Sequence, residues 1–129
     1  MQVDLVSPEE ILFSGECTQV LARTSDGDIA FLNDHAPFIG VLEIGAVRLW
    51  QADGTQTAAA VRGGFVEVSG NAVTILSDIA EPAERIDLDT ARAMVSEAEV
   101  EVGRGEDESA QDELRWAQTL VRVATNDFG

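Results

Sequence analysis

The sequence predicts a flattened β-sandwich of about ten short strands followed by a C-terminal antiparallel α-helical hairpin. Three observations carry this expectation. Turn-forming residues recur every eight to ten positions up to about residue 80. The apolar period changes from that of a strand to that of a helix after Pro82. Two helix-period segments then follow, separated by glycines. The 129 residues accordingly divide into a β-sandwich domain over 1–84 and a two-helix hairpin over 85–129.

Val3 and Leu5 alternate with Gln2 and Asp4, the pattern of a half-buried first strand. "SDG" at 25–27 turns the chain between "VLART" and "DIAFL". Asp53-Gly54 joins "AVRLWQ" to "TQTAAAV", a strong hairpin signal. Gly63-Gly64 breaks the run before "FVEVS", and Ser69-Gly70-Asn71 turns that run into "AVTIL". Asp87 is placed as a helix N-cap. Leu88, Ala91, Val95, Ala98 and Val102 fall at helical spacing beside Met94, and Gly103 and Gly105 bracket a break. In the second helix Ala110, Leu114, Ala117, Val121 and Ala124 form a coiled-coil-like seam, flanked by a stripe of Trp116, Leu120 and Val123. So small a hairpin has little core of its own and must lie on the β domain or on another protein.

Charge excludes several functions. The net charge is −16, all eight bases are arginine, and twelve acids lie between residues 81 and 113. Nucleic acid and anionic lipid both require a basic surface, so neither is an expected partner. No apolar run approaches the ~20 residues that span a bilayer. "MQVDLVSPEE" is acidic and alternating, unlike a signal peptide, so a soluble chain without direct bilayer insertion is expected. A single cysteine, Cys17, and a single histidine, His35, cannot assemble a tetrahedral zinc site, and no metal is expected.

The candidate chemistry is sparse. His35 sits in "NDHAPFIGVLEIG" between Asp34 and Pro37, with no nucleophile or orienting carboxylate in evidence. It reads as a turn histidine bonded to backbone near Pro37, not as a catalytic base, and no catalytic residue is expected. Gly63-Gly64 lacks the Gly-Lys-Ser of a phosphate loop and reads as a turn or bulge. Trp50 lies on the face of its strand opposite Val47 and Leu49, either as an interface anchor or as cover for an open end. In "LDTARA", Asp89 and Arg92 share one face of the first helical turn. Locally they read as an intrahelical ion pair, with a small anion or nucleotide site as the competing reading.

"VSPEEILFSGE", "TSDGDIAFLNDHAPFIGVLEIGAVRL", "VRGGFVEVSGNAVTILSDIAE" and "LDTARA" occur in this order over nearly the whole chain. Together they resemble the epsilon subunit family of the bacterial F-type ATP synthase (delta in mitochondrial nomenclature). The resemblance implies a non-catalytic subunit whose β-sandwich binds the gamma shaft and the membrane c-ring, coupling proton flow to ATP synthesis. It also implies a peripheral location on the cytoplasmic face of the bacterial membrane. By the same resemblance Asp28 and His35 contact the c-ring, and Asp89 and Arg92 belong to a nucleotide motif. Glu97, Glu99 and Glu101 follow that motif and repel polyphosphate, so ATP binding is expected to be weak or absent and no other cofactor is expected. Arg115 and Arg122 correspond to basic residues that meet an acidic segment of the catalytic beta subunits, a reduced set that implies weak inhibition of ATP hydrolysis. Ala30 and Asn33 replace a Gly-x-x-Pro frequent in the family, which alters the stiffness of the turn before His35. The competing reading is a free-standing β-sandwich binding module with a nucleotide-sensing hairpin; a small hydrolase built on His35 is a distant third.

Overall fold

The computed structural model describes residues 1–105 and 107–128; residues 106 and 129, both inside the hairpin expected over 85–129, lie outside the described residues. The strands are β1 (Gln2–Val6), β2 (Ile11–Thr24), β3 (Gly27–Leu32), β4 (Phe38–Gln51), β5 (Gln56–Ser69), β6 (Ala72–Leu76) and β7 (Ala80–Pro82). A 3-10 turn at Ala83–Arg85 leads to helices α1 (Leu88–Gly103) and α2 (Glu108–Thr125). Hydrogen bonding links the strands in the order β1-β6-β5-β4-β2-β3, with β7 on β5. β1 also pairs with β2, so the sheet closes on itself. β1 and β6 run parallel, while the other pairs are antiparallel. Val3, Leu5, Val20, Phe31, Leu49, Val66 and Ile75 fill the interior. Cys17 is buried among them, and that burial pushes its thiol above the ordinary range.

Three strands carry fourteen residues each, and in each the inward-facing set changes phase partway along. In β5, Ala59 and Val61 point into the sandwich, but so do Val66 and Val68. In β4, Leu42 is followed by Val47 and Leu49, and in β2, Cys17 by Val20 and Ala22. Strict alternation cannot bury both members of such a set. In β5 the change falls at Gly63 (φ 83°) and Gly64 (φ 119°), backbone conformations that L residues rarely adopt. The register with β4 is nevertheless the same on both sides, from Phe38↔Val68 to Leu42↔Gly64 and from Ile44↔Arg62 to Trp50↔Gln56. The Gly63 carbonyl left by this reversal accepts a hydrogen bond of 2.7 Å from the buried Ser77 hydroxyl.

Gly63-Gly64 therefore turns the strand over without ending it, where the sequence suggests a break. Seven strands among the described residues, three of them long enough to read as two, correspond to the ten short ones expected. The sandwich followed by two helices stands as read.

The helices cap as their sequence dictates. Asp87 accepts from the Thr90 amide at 3.0 Å and Asp107 from the Ser109 amide at 2.9 Å. Asn126, with φ 53°, closes α2 in the left-handed conformation. α2 lies on β4 and β5, and α1 packs chiefly on α2. The seat for α2 is made of small residues. Ala58, Ala60 and Ala46 accept Trp116, Leu120 and Val123, while Ala59 faces the opposite way into the sandwich. Small side chains let a helix approach a sheet closely and so bury more apolar surface. The stripe that flanks the expected seam thus makes the main contact with the sheet. Arg62 joins this contact by an ion pair with Glu113 at 2.5 Å. At the near side of the linker Arg85 bonds Glu10 at 2.6 Å and holds that exposed carboxyl below its usual range.

A Cβ on Gly64 would lie 2.0 Å from the Leu76 carbonyl oxygen, whereas one on Gly70 (φ 60°) meets nothing within 4 Å. Gly64→Ala is therefore expected to destabilise the fold by more than ~2 kcal/mol, and Gly70→Ala by ~1 kcal/mol or less. Urea unfolding at unchanged m-value reads the difference, and equal losses would contradict the clash.

Candidate functional site

The phase change in β4 and β5 has a consequence on the outside of the sandwich. In one half of these strands Ala58 and Ala60 face outward and α2 covers them. In the other half Val41 and Phe65 face outward and stay exposed. Register extends this second set across the sheet. Val41 pairs with Phe65, Phe65 with Leu76, Leu76 with Val6, and Val6 with Ile11. A row of apolar side chains therefore crosses five strands. Phe65 is 58% exposed, Ile11 66%, and Ile39, one outward position from Val41, 73%. The next row starts at Ile39 on β4 and is polar beyond it, with Glu67, Thr74, Asp4 and Ser14 in register and Ser14 bonded to Asp4 at 2.6 Å. A contiguous apolar stripe with a polar border has the composition of a protein-binding surface.

His35 lies beyond the end of β3. Its backbone N–H closes a turn to the Leu32 carbonyl at 3.1 Å, with Asp34 left-handed at φ 64°. Its ring packs edge-on against Phe31, with centroids 5.0 Å apart, and Nδ1 lies 2.7 Å from the Ala36 carbonyl. These contacts fix the turn and leave the side chain half-buried, as a pinning residue requires. Asp28 is at the other end of β3, opposite Arg23 across the β2–β3 ladder. Asp28 and Leu32 are four residues apart along the strand, about 13 Å, and the turn that carries His35 lies beyond Leu32. The structure therefore sets them at the two ends of one edge strand and does not join them in a single cluster.

Asp89 and Arg92 are both exposed on α1 and form no ion pair with each other. The local reading of an intrahelical pair does not hold. Asp87 and Thr90 make the cap contact of that turn instead, and Ala91 is the buried residue of the motif. Arg115 and Arg122 both line a groove between α2 and the sheet, with Arg115 also 3.4 Å from Asp112. Trp50 carries the guanidinium of Arg48 at 4.8 Å from its ring centroid. Among the described residues no group of His, Cys, Asp or Glu is arranged to hold a metal, and no helix is long and apolar enough to cross a membrane.

The apolar row is the feature that sequence reasoning missed. Its signal is adjacent apolar pairs: Val41-Leu42, Phe65-Val66 and Ile75-Leu76 each put one side chain on either face of a strand. Alternation explains one member of each pair, and the other has no place in the core.

Known proteins share this architecture. A family model described as "ATP synthase, Delta/Epsilon chain, beta-sandwich domain" matches residues 1–83. The ATP synthase epsilon chain of Streptomyces avermitilis is 41% identical over 101 residues, covering 78% of this chain and 82% of the relative. That of Streptomyces coelicolor is 37% identical over 117 residues, covering 91% and 94%. That of Rhodococcus jostii is 43% identical over 99 residues, covering 76% and 81%. Among solved structures, a chain of the Euglena gracilis mitochondrial ATP synthase (OSCP/F1/c-ring, rotational state 1) superposes with a TM-score of 0.79 at 22% identity, over 92% of this chain and 77% of that one. A chain of the Tetrahymena thermophila mitochondrial ATP synthase central stalk/c-ring gives 0.61 at 16% identity, over 98% and 94%. At those identities the structural likeness is one of fold.

Proposed function

The chain belongs to the ATP synthase delta/epsilon family, and on that premise we propose that it is the non-catalytic central-stalk subunit of a rotary F-type enzyme. It couples proton flow to ATP synthesis by gripping the gamma subunit and the c-ring. The observation that supports this reading best is the row Val41-Phe65-Leu76-Val6-Ile11, an apolar strip exposed at every position but the half-buried Val6. A coupling subunit must hold its shaft against torque, and burial of a continuous apolar strip supplies a strong, non-directional grip. The strip is the gamma-binding surface. Membership of the family replaces the free-standing binding module as the preferred reading.

The c-ring contact runs along β3, an edge strand that among the described residues pairs only with β2. Asp28 and His35 mark its two ends, and the exposed Leu32 lies between them. An edge strand presents unpaired backbone groups together with alternate side chains, which suits it to meeting polar loops of another protein. The subunit is thereby held peripherally on the cytoplasmic face of the membrane.

The hairpin is regulatory, and its inhibition of ATP hydrolysis is weak. While α2 lies on the sheet, Arg115 and Arg122 border the groove beneath it. Contact with the beta subunits therefore requires α2 to leave its alanine seat. ATP binding at Asp89 and Arg92 is weak, because α1 continues through Glu97, Glu99 and Glu101.

Phe65→Gln with Leu76→Thr is expected to leave thermal stability nearly unchanged, since both side chains are exposed. Co-purification with gamma should be lost, and retained binding would refute the strip as the grip. In the reassembled enzyme Asp28→Arg should lower proton-driven ATP synthesis, and a wild-type rate would remove Asp28 from the ring contact. Deleting residues 105–129 is expected to raise ATP hydrolysis less than about twofold, roughly the effect of 0.4 kcal/mol; a large rise would contradict weak inhibition.

A further inference from the structure

Four of the chain's eight arginines meet at one place. Between the C-terminal half of α2 and strands β2 and β4 runs a groove of about 570 Å³. Arg23 and Arg48 enter it from the sheet, and Arg115 and Arg122 from the helix. Two carboxylates, Asp28 and Glu43, also line it. Four guanidinium groups against two carboxylates leave a local excess of positive charge, in a protein of net charge −16.

The pairing of these arginines differs from that of Arg62, Arg85 and Arg104; Arg92, isolated on α1, is likewise in no ion pair among the described residues. Arg62, Arg85 and Arg104 each hold a glutamate at 3.0 Å or less. Among the described residues Arg23, Arg48 and Arg122 have no carboxylate within ion-pair reach, although Arg23 stands directly opposite Asp28 in the ladder. Arg115 has only the longer contact of 3.4 Å to Asp112 on its own helix. With three acids for every base, unpaired arginines gathered in one groove are not what random surface charge would produce.

Two of the four are held in position by their surroundings. Arg48 lies over Trp50 at 4.8 Å and over Phe128 at 4.3 Å. With its amide oxygen turned inward, Gln56 accepts from Arg48 Nη2 at 2.6 Å and Nε at 2.9 Å, which leaves the remaining N–H donors for a ligand. The stem of Arg23 lies over Gly45, where a Cβ would meet it at 3.2 Å. Fixed guanidinium forks suit planar or tetrahedral oxyanions, and several forks together favour a multiply charged one over a single carboxylate.

We propose that this groove binds a multivalent oxyanion of the phosphate class, which bridges the sheet to α2 and clasps the hairpin in its folded position. Arg23 and Arg48 hold the anion from the sheet side, and Arg115 and Arg122 hold it from the helix side. Neither Asp89 nor Arg92 takes part, since α1 contributes no residue to the groove. The site rests on the geometry of this chain alone and does not depend on the assignment to the central stalk.

The test uses the full-length chain at low ionic strength, titrated calorimetrically with inorganic phosphate, pyrophosphate and ATP. Pyrophosphate is expected to bind, to raise the melting temperature with concentration, and to slow hydrogen exchange of the α2 amides. Arg23→Gln and Arg122→Gln should each weaken binding by about tenfold or more, and Arg104→Gln, outside the groove, should leave it unchanged. Asp28→Asn removes a repelling charge and should strengthen binding, an outcome that loss of folding cannot mimic. Equal affinity for pyrophosphate and ATP identifies the phosphate chain itself as the ligand, and tighter ATP binding identifies a nucleotide. Absence of binding by all three anions at millimolar concentration would overturn the proposal. So would binding abolished by Arg92→Gln and spared by Arg23→Gln, or binding that leaves α2 exchange unaltered.

Discussion

The carbonyl of Leu76 presses against Gly64, at the point where β5 reverses which of its faces looks inward. This contact organises both outer surfaces of the sandwich. Before the reversal the outward residues are Ala58 and Ala60, small enough to seat a helix. After it the outward residue is Phe65, too large and apolar to be a casual surface choice. Because β4 stays in unbroken register with β5, it reverses too, and Ala46 and Val41 take up the same two roles. One local backbone conformation, available only to glycine without strain, thus separates a surface used within the chain from a surface available to another protein.

The two surfaces differ in how firmly they are held. The helical seat joins a modest apolar contact to one half-exposed ion pair, Arg62 with Glu113, and to a groove rich in arginine. Ion pairs of this exposure contribute little individually and weaken with salt. The sandwich interior is apolar, closed on itself and far larger. Detaching α2 would therefore disturb a satellite cluster and leave the main core intact. The chain has no lysine, so every positive charge at this seam comes as a flat, delocalised fork able to stack as well as pair.

Local features were legible in the sequence and long-range ones were not. The hairpin at Asp53-Gly54, the cap at Asp87 and the glycine break after Val102 follow from residue chemistry within a few positions, and the structure has all three. Gly63-Gly64 was readable as special but not as continuous, because a break and a reversal use the same residue type. Leu76 alone distinguishes them, and it arrives twelve residues later. The apolar row was hidden because its members come from five strands, each contributing one side chain that looks like part of a core. The arginine groove was hidden more completely, since Arg23 and Arg48 meet Arg115 and Arg122 only after the hairpin lies down. Asp28 and His35 look like neighbours in a short motif, yet extended chain carries them to opposite ends of β3.

The parallel pairing of β1 with β6 bears on how the polypeptide leaves the ribosome. β1 is made first, but both its neighbours, and especially β6, are made later, and some seventy residues separate the parallel partners. Until β6 emerges, β1 has one long edge without a partner, and the closed sheet remains an open ribbon. Such distant pairing makes folding slow and late. The β-sandwich is thus completed almost in one step, once β6 has joined β1 to β5.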